Sequence, residues 1–197
     1  LWLDGVEAIC PTFVSCKVTQ LRQSLKVIHE VRKQHCEERC ELLGAHLEGP
    51  FLSPEFQGAH ARDSLCQPSL DALMERIEGF EDEIALVTLA PELVGSQEVI
   101  QRLRELEIVV CLGHSSADAE TSRQAFSQGV RMLTHGFNAM RGFHHREPGP
   151  MGAAIQSGKI AIGLIADGVH VHPTIAVFLQ KLASEKLVLV SDAIAPY

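Results

Sequence analysis

Seven short apolar runs, mostly set apart by helical stretches, constrain the fold of this chain more than any other feature. They lie at 8–15, 41–47, 84–89, 108–112, 130–134, 160–165 and 187–191. Helical character falls between most of them, near 69–78, 95–106, 117–128, 150–157 and 172–184. After the first run, Val18, Leu21, Leu25, Ile28 and Val31 recur at near-helical spacing. Strands that alternate with helices pair in parallel, because each crossover returns the chain to the same end of the sheet. Such strands are covered on both faces and read as continuous apolar runs, as IAIGLIA (160–166) does. No linker or low-complexity segment divides the 197 residues, so a single domain is expected.

Two α/β architectures fit this alternation: an open doubly wound sheet and a (β/α)8 barrel. The placement of polar residues separates them. An open sheet gathers its chemistry at one topological switch point. Here a polar group follows nearly every strand: Glu48, the stretch Thr88–Glu92, His114, His135, Asp167-Gly168-Val169-His170 and Asp192. A ring of strand ends feeding one site is the barrel arrangement. A barrel needs eight strands and about 250 residues. The chain supplies seven, opens on what reads as a helix end (Leu1-Trp2) and stops soon after a strand. The expectation is therefore an incomplete (β/α)8 TIM barrel, residues 1–197 forming one partial catalytic domain that lacks its first strand and last helix. An open seam of that kind predicts poor stability for the isolated chain, through unpaired strand groups and bared core.

The strand-end residues have a coherent chemistry. One carboxylate (Glu48) and two imidazoles (His114, His135) form a donor set for a hard or borderline divalent metal, and Asp192 beside them can move protons. That is the makeup of a metal-dependent hydrolase site. Two long loops, 50–68 with Gln57-Gly58-Ala59-His60 and 136–150 with Asn138, Arg146, Pro148, Gly149 and Pro150, suit a pocket rim. Arg146 fits either a surface salt bridge or recognition of a phosphate or carboxylate. His46 shares the strand face of Glu48 and reads as a supporting or barrel-interior residue. His29 and His35 on the first helix, and His144 and His145 in the second loop, read as solvated. His172 before Pro173 reads as a helix start.

Composition narrows the function classes. A formal charge of −8 argues against nucleic acid, whose phosphates demand a basic face. No apolar run approaches the ~20 residues needed to cross a bilayer, and no secretory signal is seen. The six cysteines are irregularly spaced in a chain that is neither small nor loop-rich, which favours reduced thiols in a cytoplasmic protein over a disulfide framework. His35, Cys36 and Cys40 could share a helix face, but three ligands fall short of a structural zinc site, and half-buried thiols at a helix end are the reading kept.

HLEGPFLSPEFQGAH, LGHSSAD, THGFNAM, REPGPMGAAI, IADGVHVHP and LVSDAIAP occur in an order that resembles the N-acetylglucosamine-6-phosphate deacetylases of the amidohydrolase superfamily, from about Pro11 to Pro196. The resemblance implies a (β/α)8 barrel with a small β-sandwich built from both chain termini, the sandwich being absent from this chain. It implies metal-dependent hydrolysis of the N-acetyl group of N-acetylglucosamine 6-phosphate in amino-sugar catabolism. Glu48, His114 and His135 would be the metal ligands, for zinc first and for iron, cobalt or manganese as alternatives. Asp192 would be the general base and acid. Ala59 and the main chain at Asn138 and Ala139 would contact substrate, His60 would polarise the acetyl carbonyl or touch the sugar, and His170 would hydrogen-bond the sugar. Arg146 would bind the 6-phosphate across a homodimer interface. Gly136-Phe137 stands where many relatives have a larger residue followed by Tyr or Phe. The competing readings are another amidohydrolase (a deaminase or cyclic amidase) and a non-catalytic chain that binds a sugar phosphate. Metal number and hexosamine stereochemistry stay open at this point.

Overall fold

A computed structural model describes residues 2–34 and 39–193. His35 and Cys36, weighed above as part of a thiol-bearing helix face, lie outside the described residues. Among the described residues there are nine strands, β1 (Ala8–Ile9), β2 (Thr12–Val14), β3 (Glu41–Leu42), β4 (Ala45–Glu48), β5 (Ile84–Leu89), β6 (Val109–Leu112), β7 (Val130–Leu133), β8 (Ala161–Ile165) and β9 (Leu187–Val190). Six helices intervene: α1 (Val18–Arg32), α2 (Leu70–Ile77), α3 (Ser96–Glu105), α4 (Ala119–Gln128), α5 (Gly149–Ser157) and α6 (Pro173–Ala183).

Seven strands form one sheet in the order β2-β4-β5-β6-β7-β8-β9, and every neighbouring pair is parallel. Apart from the short β3, the order follows the sequence without reversal, so there is no switch point of the open-sheet kind. The sheet curls. The Glu48 carboxylate at the end of β4 lies 3.0 Å from His135 Nε2 just past β7, three strands away. In a flat sheet three strand spacings would separate them by roughly 14 Å. Thr88 Oγ1 on β5 likewise reaches Thr134 Oγ1, at 2.6 Å, across β6. This is an incomplete barrel of seven strands.

Two of the sequence-read strands are broken. The run 8–15 divides at Cys10-Pro11, and the run 41–47 divides at Leu43-Gly44. Their outer pieces, β1 and β3, pair as a separate two-stranded parallel sheet. Proline has no N–H to give to a ladder. Gly44 adopts φ +129°, and a Cβ there would press on Ala85 N at 3.0 Å and Glu83 O at 3.2 Å. The kink therefore falls where one strand lacks a donor and its neighbour lacks a side chain.

The helices fall where the apolar spacing put them, because each buries one stripe on the outer face of the sheet. Leu21 and Leu25 of α1, Leu73 and Ile77 of α2, and Val99, Ile100 and Leu103 of α3 are buried with Ala45, Leu47, Val87, Leu89, Val110 and Leu112 of the strands. Ser69 caps α2 and Asp118 caps α4, each accepting a backbone N–H. His172 caps α6, as its place before Pro173 suggested. The inner face is more polar. His46, Thr88 and Thr134 hydrogen-bond one another there through Thr88 Oγ1, and Thr12 Oγ1 meets the other ring nitrogen of His46. Burial pushes the Cys111 thiol up to about 12, against the opposing influence of Thr134 and Thr88. Cys10, Cys16, Cys40, Cys66 and Cys111 are free thiols. Among the described residues no helix is long and apolar enough to cross a membrane.

Candidate metal centre

Register sets the rim of the site. Leu112 pairs with Leu133, so His114 and His135, each two residues on, leave adjacent strands at the same height. Ile165 pairs with Val190, and Asp167 and Asp192 stand in the same relation one turn further round the sheet. Glu48 is the last residue of its own strand. His114, His135 and Asp192 all have positive φ, at 47°, 29° and 47°. Non-glycine residues adopt that left-handed backbone uncommonly, and such positions gather at functional sites. At the two histidines it is held by Ser53 N–H donating to His114 O (2.8 Å) and Asn138 N–H donating to His135 O (3.0 Å).

Glu48, His114 and His135 are all buried, and one ligand atom from each lies within 4.8 Å of the others. The His114 and His135 Nε2 atoms are 3.1 Å apart, and Glu48 Oε1 is 3.4 Å and 3.0 Å from them. His60 joins from the loop after β4, its Nε2 lying 3.3 Å from Glu48 Oε2.

The main chain assigns the imidazoles opposite roles. His114 Nδ1 is 2.8 Å from the carbonyl oxygen of Phe56, which can only accept. Nδ1 therefore carries the proton and Nε2 turns a bare lone pair into the centre, the arrangement of a metal-ligating histidine. His60 Nδ1 instead receives the backbone N–H of Ser15 at 3.2 Å. Its proton must then sit on Nε2, which makes His60 a donor aimed at Glu48. Gly49 permits this: its φ is +87°, and a Cβ there would lie 2.2 Å from Ser15 Oγ.

The charges bear on what the centre can hold. Burial alone would raise the Glu48 carboxyl, but the imidazoles of His114, His135 and His60 that face it hold it far below the ordinary carboxylate range. Burial would lower His135, yet Glu48, by hydrogen bond and by charge, and Asp192, by charge, raise it. His135 Nδ1 is buried with no hydrogen-bond partner among the described residues. A bare His114 nitrogen, a carboxylate oxygen and a second imidazole nitrogen so close together repel unless a cation lies among them. A divalent ion accepting all three donors fits that place, and carboxylate with imidazole is a donor set for zinc and its neighbours.

The remaining predicted residues are not drawn into this cluster. Asp192 is exposed beyond β9, although its charge still acts on His135 and His46. Ala59 is exposed, and Ala139 is half-buried with φ 46°. The Asn138 side chain donates to the His135 and Gly136 carbonyls, leaving its role to the main chain. His170 Nδ1 meets Asp167 Oδ2 at 2.7 Å, and the backbone N–H groups of His170 and Val169 help hold the Asp167 carboxyl down at about 2. Arg146 is exposed in a loop, and no described residue takes its guanidinium. His144 and His145 are exposed beside it. A larger residue at Gly136 would press on Met151 Sδ, 2.8 Å from a built Cβ.

Sequence reasoning needs correction at one histidine and missed two further residues. His29 is not simply solvated: its Nδ1 lies 2.6 Å from Glu83 Oε1. Ser15, read only as a strand end, fixes the tautomer of His60. Glu92, noted only as following a strand, binds the turn after His114. A polar residue closing an apolar run was the one signal available for either.

No protein-family model matches the chain. Curated relatives do. The bovine N-acetylglucosamine-6-phosphate deacetylase is 41% identical over 202 residues, covering 96% of this chain and 48% of the relative. An N-acetylgalactosamine-6-phosphate deacetylase of Escherichia coli O157:H7 is 36% identical, covering 96% of this chain and 50% of its own length. Among solved structures, the N-acetylglucosamine-6-phosphate deacetylase of Pasteurella multocida superposes with a TM-score of 0.88 at 32% identity, over 97% of this chain and 49% of that one. An aspartate-to-alanine mutant of the Mycobacterium smegmatis enzyme, in complex with N-acetyl-D-glucosamine-6-phosphate, gives 0.87 at 32% identity over 95% of this chain and 48% of that one. The chain spans about half the length of these relatives.

Proposed function

Starting from a chain that is homologous to the N-acetylglucosamine-6-phosphate deacetylases over about half of their length, we propose that it carries the metal-binding core of such a hydrolase. The substrate is N-acetylglucosamine 6-phosphate, and the products are glucosamine 6-phosphate and acetate. The observation that carries this reading is the buried convergence of Glu48, His114 and His135 on one point, with the His114 tautomer preset for ligation.

Glu48, His114 and His135 would hold the metal, zinc before iron, cobalt or manganese. A divalent ion there would lower the pKa of water from 15.7 toward 7 and polarise a carbonyl oxygen. Asp192 takes a proton from the attacking water and returns it to the departing amine nitrogen as the amide C–N bond breaks. His60, fixed as an Nε2–H donor, turns that proton from Glu48 to the charge gathering on the acetyl oxygen. Arg146 binds the 6-phosphate, so that remote binding energy positions the amide. In a homodimer that arginine serves the neighbouring subunit, which suits its exposed loop. His170 bonds the sugar, and Ala59 with the main chain at Asn138 and Ala139 lines the pocket. Residues 1–197 are read as one catalytic barrel unit, in a protein of the cytoplasm that engages neither nucleic acid nor membrane.

The test is acetate release by the intact protein from N-acetylglucosamine 6-phosphate, N-acetylgalactosamine 6-phosphate and unphosphorylated N-acetylglucosamine, with Asp192→Asn as control. Acetate from a phosphorylated sugar alone, lost in the control, supports the reading and names the hexosamine. No acetate despite bound metal overturns the substrate and redirects attention to other amides and cyclic amides.

A further inference from the structure

Glu92 makes no hydrogen bond to the metal-binding cluster, yet three donors from the turn that follows His114 converge on its carboxylate. Its Oε2 accepts Ser115 Oγ–H at 2.6 Å, and its Oε1 accepts Ser116 N–H at 2.6 Å and Ser116 Oγ–H at 3.1 Å. Ser115 and Ser116 directly follow His114. Ser115 is also fully buried and fastened to the segment that follows His135: its N–H donates to Ala139 O (3.2 Å), and its carbonyl accepts Arg141 N–H (3.1 Å). Ser115 Oγ further accepts Ala117 N–H at 3.0 Å. The turn after β5 therefore grips the turn after β6, which grips the turn after β7. Two metal-ligating histidines stand at the head of the latter two turns.

We infer that Glu92 is a positioning residue for the metal centre, clamping the turn that holds His114 in its left-handed backbone and, through Ser115, the segment behind His135. The inference rests on the metal-centre reading given above. Two hydroxyls and one backbone N–H donate to the carboxylate. A glutamine keeps one oxygen for Ser116 N–H, but its NH2 can meet the Ser115 hydroxyl only if that hydroxyl turns to accept, so the charge and the Ser115 Oγ–H bond are both lost. The charged bonds are also short, as ionised acceptors make them. Released from the clamp, the Ser115-Ser116 turn can relax its φ-strained neighbour, and the His114 Nε2 lone pair loses its aim. Supporting residues of this kind typically change metal affinity or activity by about 10–100-fold when altered.

The experiment measures the zinc dissociation constant of the intact protein by competition with a chromophoric chelator, for the parent, Glu92→Gln and Glu83→Gln. Glu83 anchors His29 and Arg32 at the far end of α1 and touches no turn of the centre, so its variant calibrates a purely structural loss. The expected result is zinc binding weakened about 10–100-fold in Glu92→Gln, with Glu83→Gln at the parent value although both melt lower. Activity of Glu92→Gln should recover toward the parent as zinc is raised, so that most of the loss lies in metal occupancy. Equal zinc affinity in parent and Glu92→Gln overturns the inference, as does an equal loss in both variants. A parent that binds no zinc overturns the metal-centre reading itself, and this inference with it.

Discussion

The β4–β7 half of the rim and the β8–β9 half are built differently. On the first, Glu48, His60, His114 and His135 are 4–7% exposed, and the polar atoms of the first three are all accounted for. On the second, the Asp167 and His170 side chains are 42% and 47% exposed, and Asp192 stands free beyond β9. The cause lies in the loops and, at β9, in position in the sheet. The loops after β4, β5, β6 and β7 hydrogen-bond one another. Strand β9 is an edge among the described residues, with Leu189 69% exposed. The residues proposed to hold an ion are thus fixed by the fold before any ligand arrives, whereas the residue proposed for proton transfer follows the least supported strand. Its charge nonetheless reaches His135. Preorganisation is concentrated where a buried carboxylate must be neutralised, since an unpaired charge there is the costliest error the fold could make.

That contrast breaks most visibly at the ligands. Alanine in place of Glu48, His114 or His135 should abolish stoichiometric metal in elemental analysis and lower acetate release on the order of 10³-fold or more, the equivalent of several kcal/mol of Lewis-acid stabilisation. Retained metal in any of the three would mean that the buried half is not the ion site. Asp192→Asn tests the open half. We expect kcat to fall about 10²–10⁴-fold with metal content unchanged; a parallel loss of metal would erase the distinction between the halves. Arg146→Ala is milder. Removing a charged hydrogen-bonding partner of the phosphate should raise KM about 10–100-fold with kcat nearly constant, and an unchanged KM would leave Arg146 a surface residue.

The smallest effect belongs to Glu83, outside both halves. Burial alone would raise its carboxyl, but hydrogen bonds from His29 and Arg32 prevail and hold it below its ordinary value. A group with a depressed folded pKa contributes stability above its unfolded value, near 4.3, and loses it as pH falls through the folded pKa. Glu83→Gln should therefore cost about 1–3 kcal/mol at pH 7, and the difference in melting temperature from the parent should shrink as pH drops below about 4. A constant difference down to acidic pH would show that the pair adds nothing through its charge.

Much of the fold was legible because period and punctuation are local. The seven runs mark the seven strands of the main sheet, and His172 before Pro173 marks a helix start where it acts. The two broken strands were not legible, since the break at Gly44 depends on how closely Ala85 and Glu83 approach it. The same limit applied at the centre. A sequence can offer Glu48, His114 and His135 at strand ends, but it cannot show that Ser15 turns His60 into a donor or that Phe56 turns His114 into an acceptor. Those assignments rest on main-chain groups 45 and 58 residues away.

What the sequence determined by itself, then, is which residues end the strands and the chemistry they offer, because alternation of apolar runs and polar stops is written residue by residue. What only the tertiary structure decided is that Glu48 and His135, 87 residues apart, share a 3.0 Å contact. Strand spacing would keep them far apart in a flat sheet. The cumulative twist and curl of seven parallel strands closes that gap, and it is a property of the packed sheet rather than of any one strand.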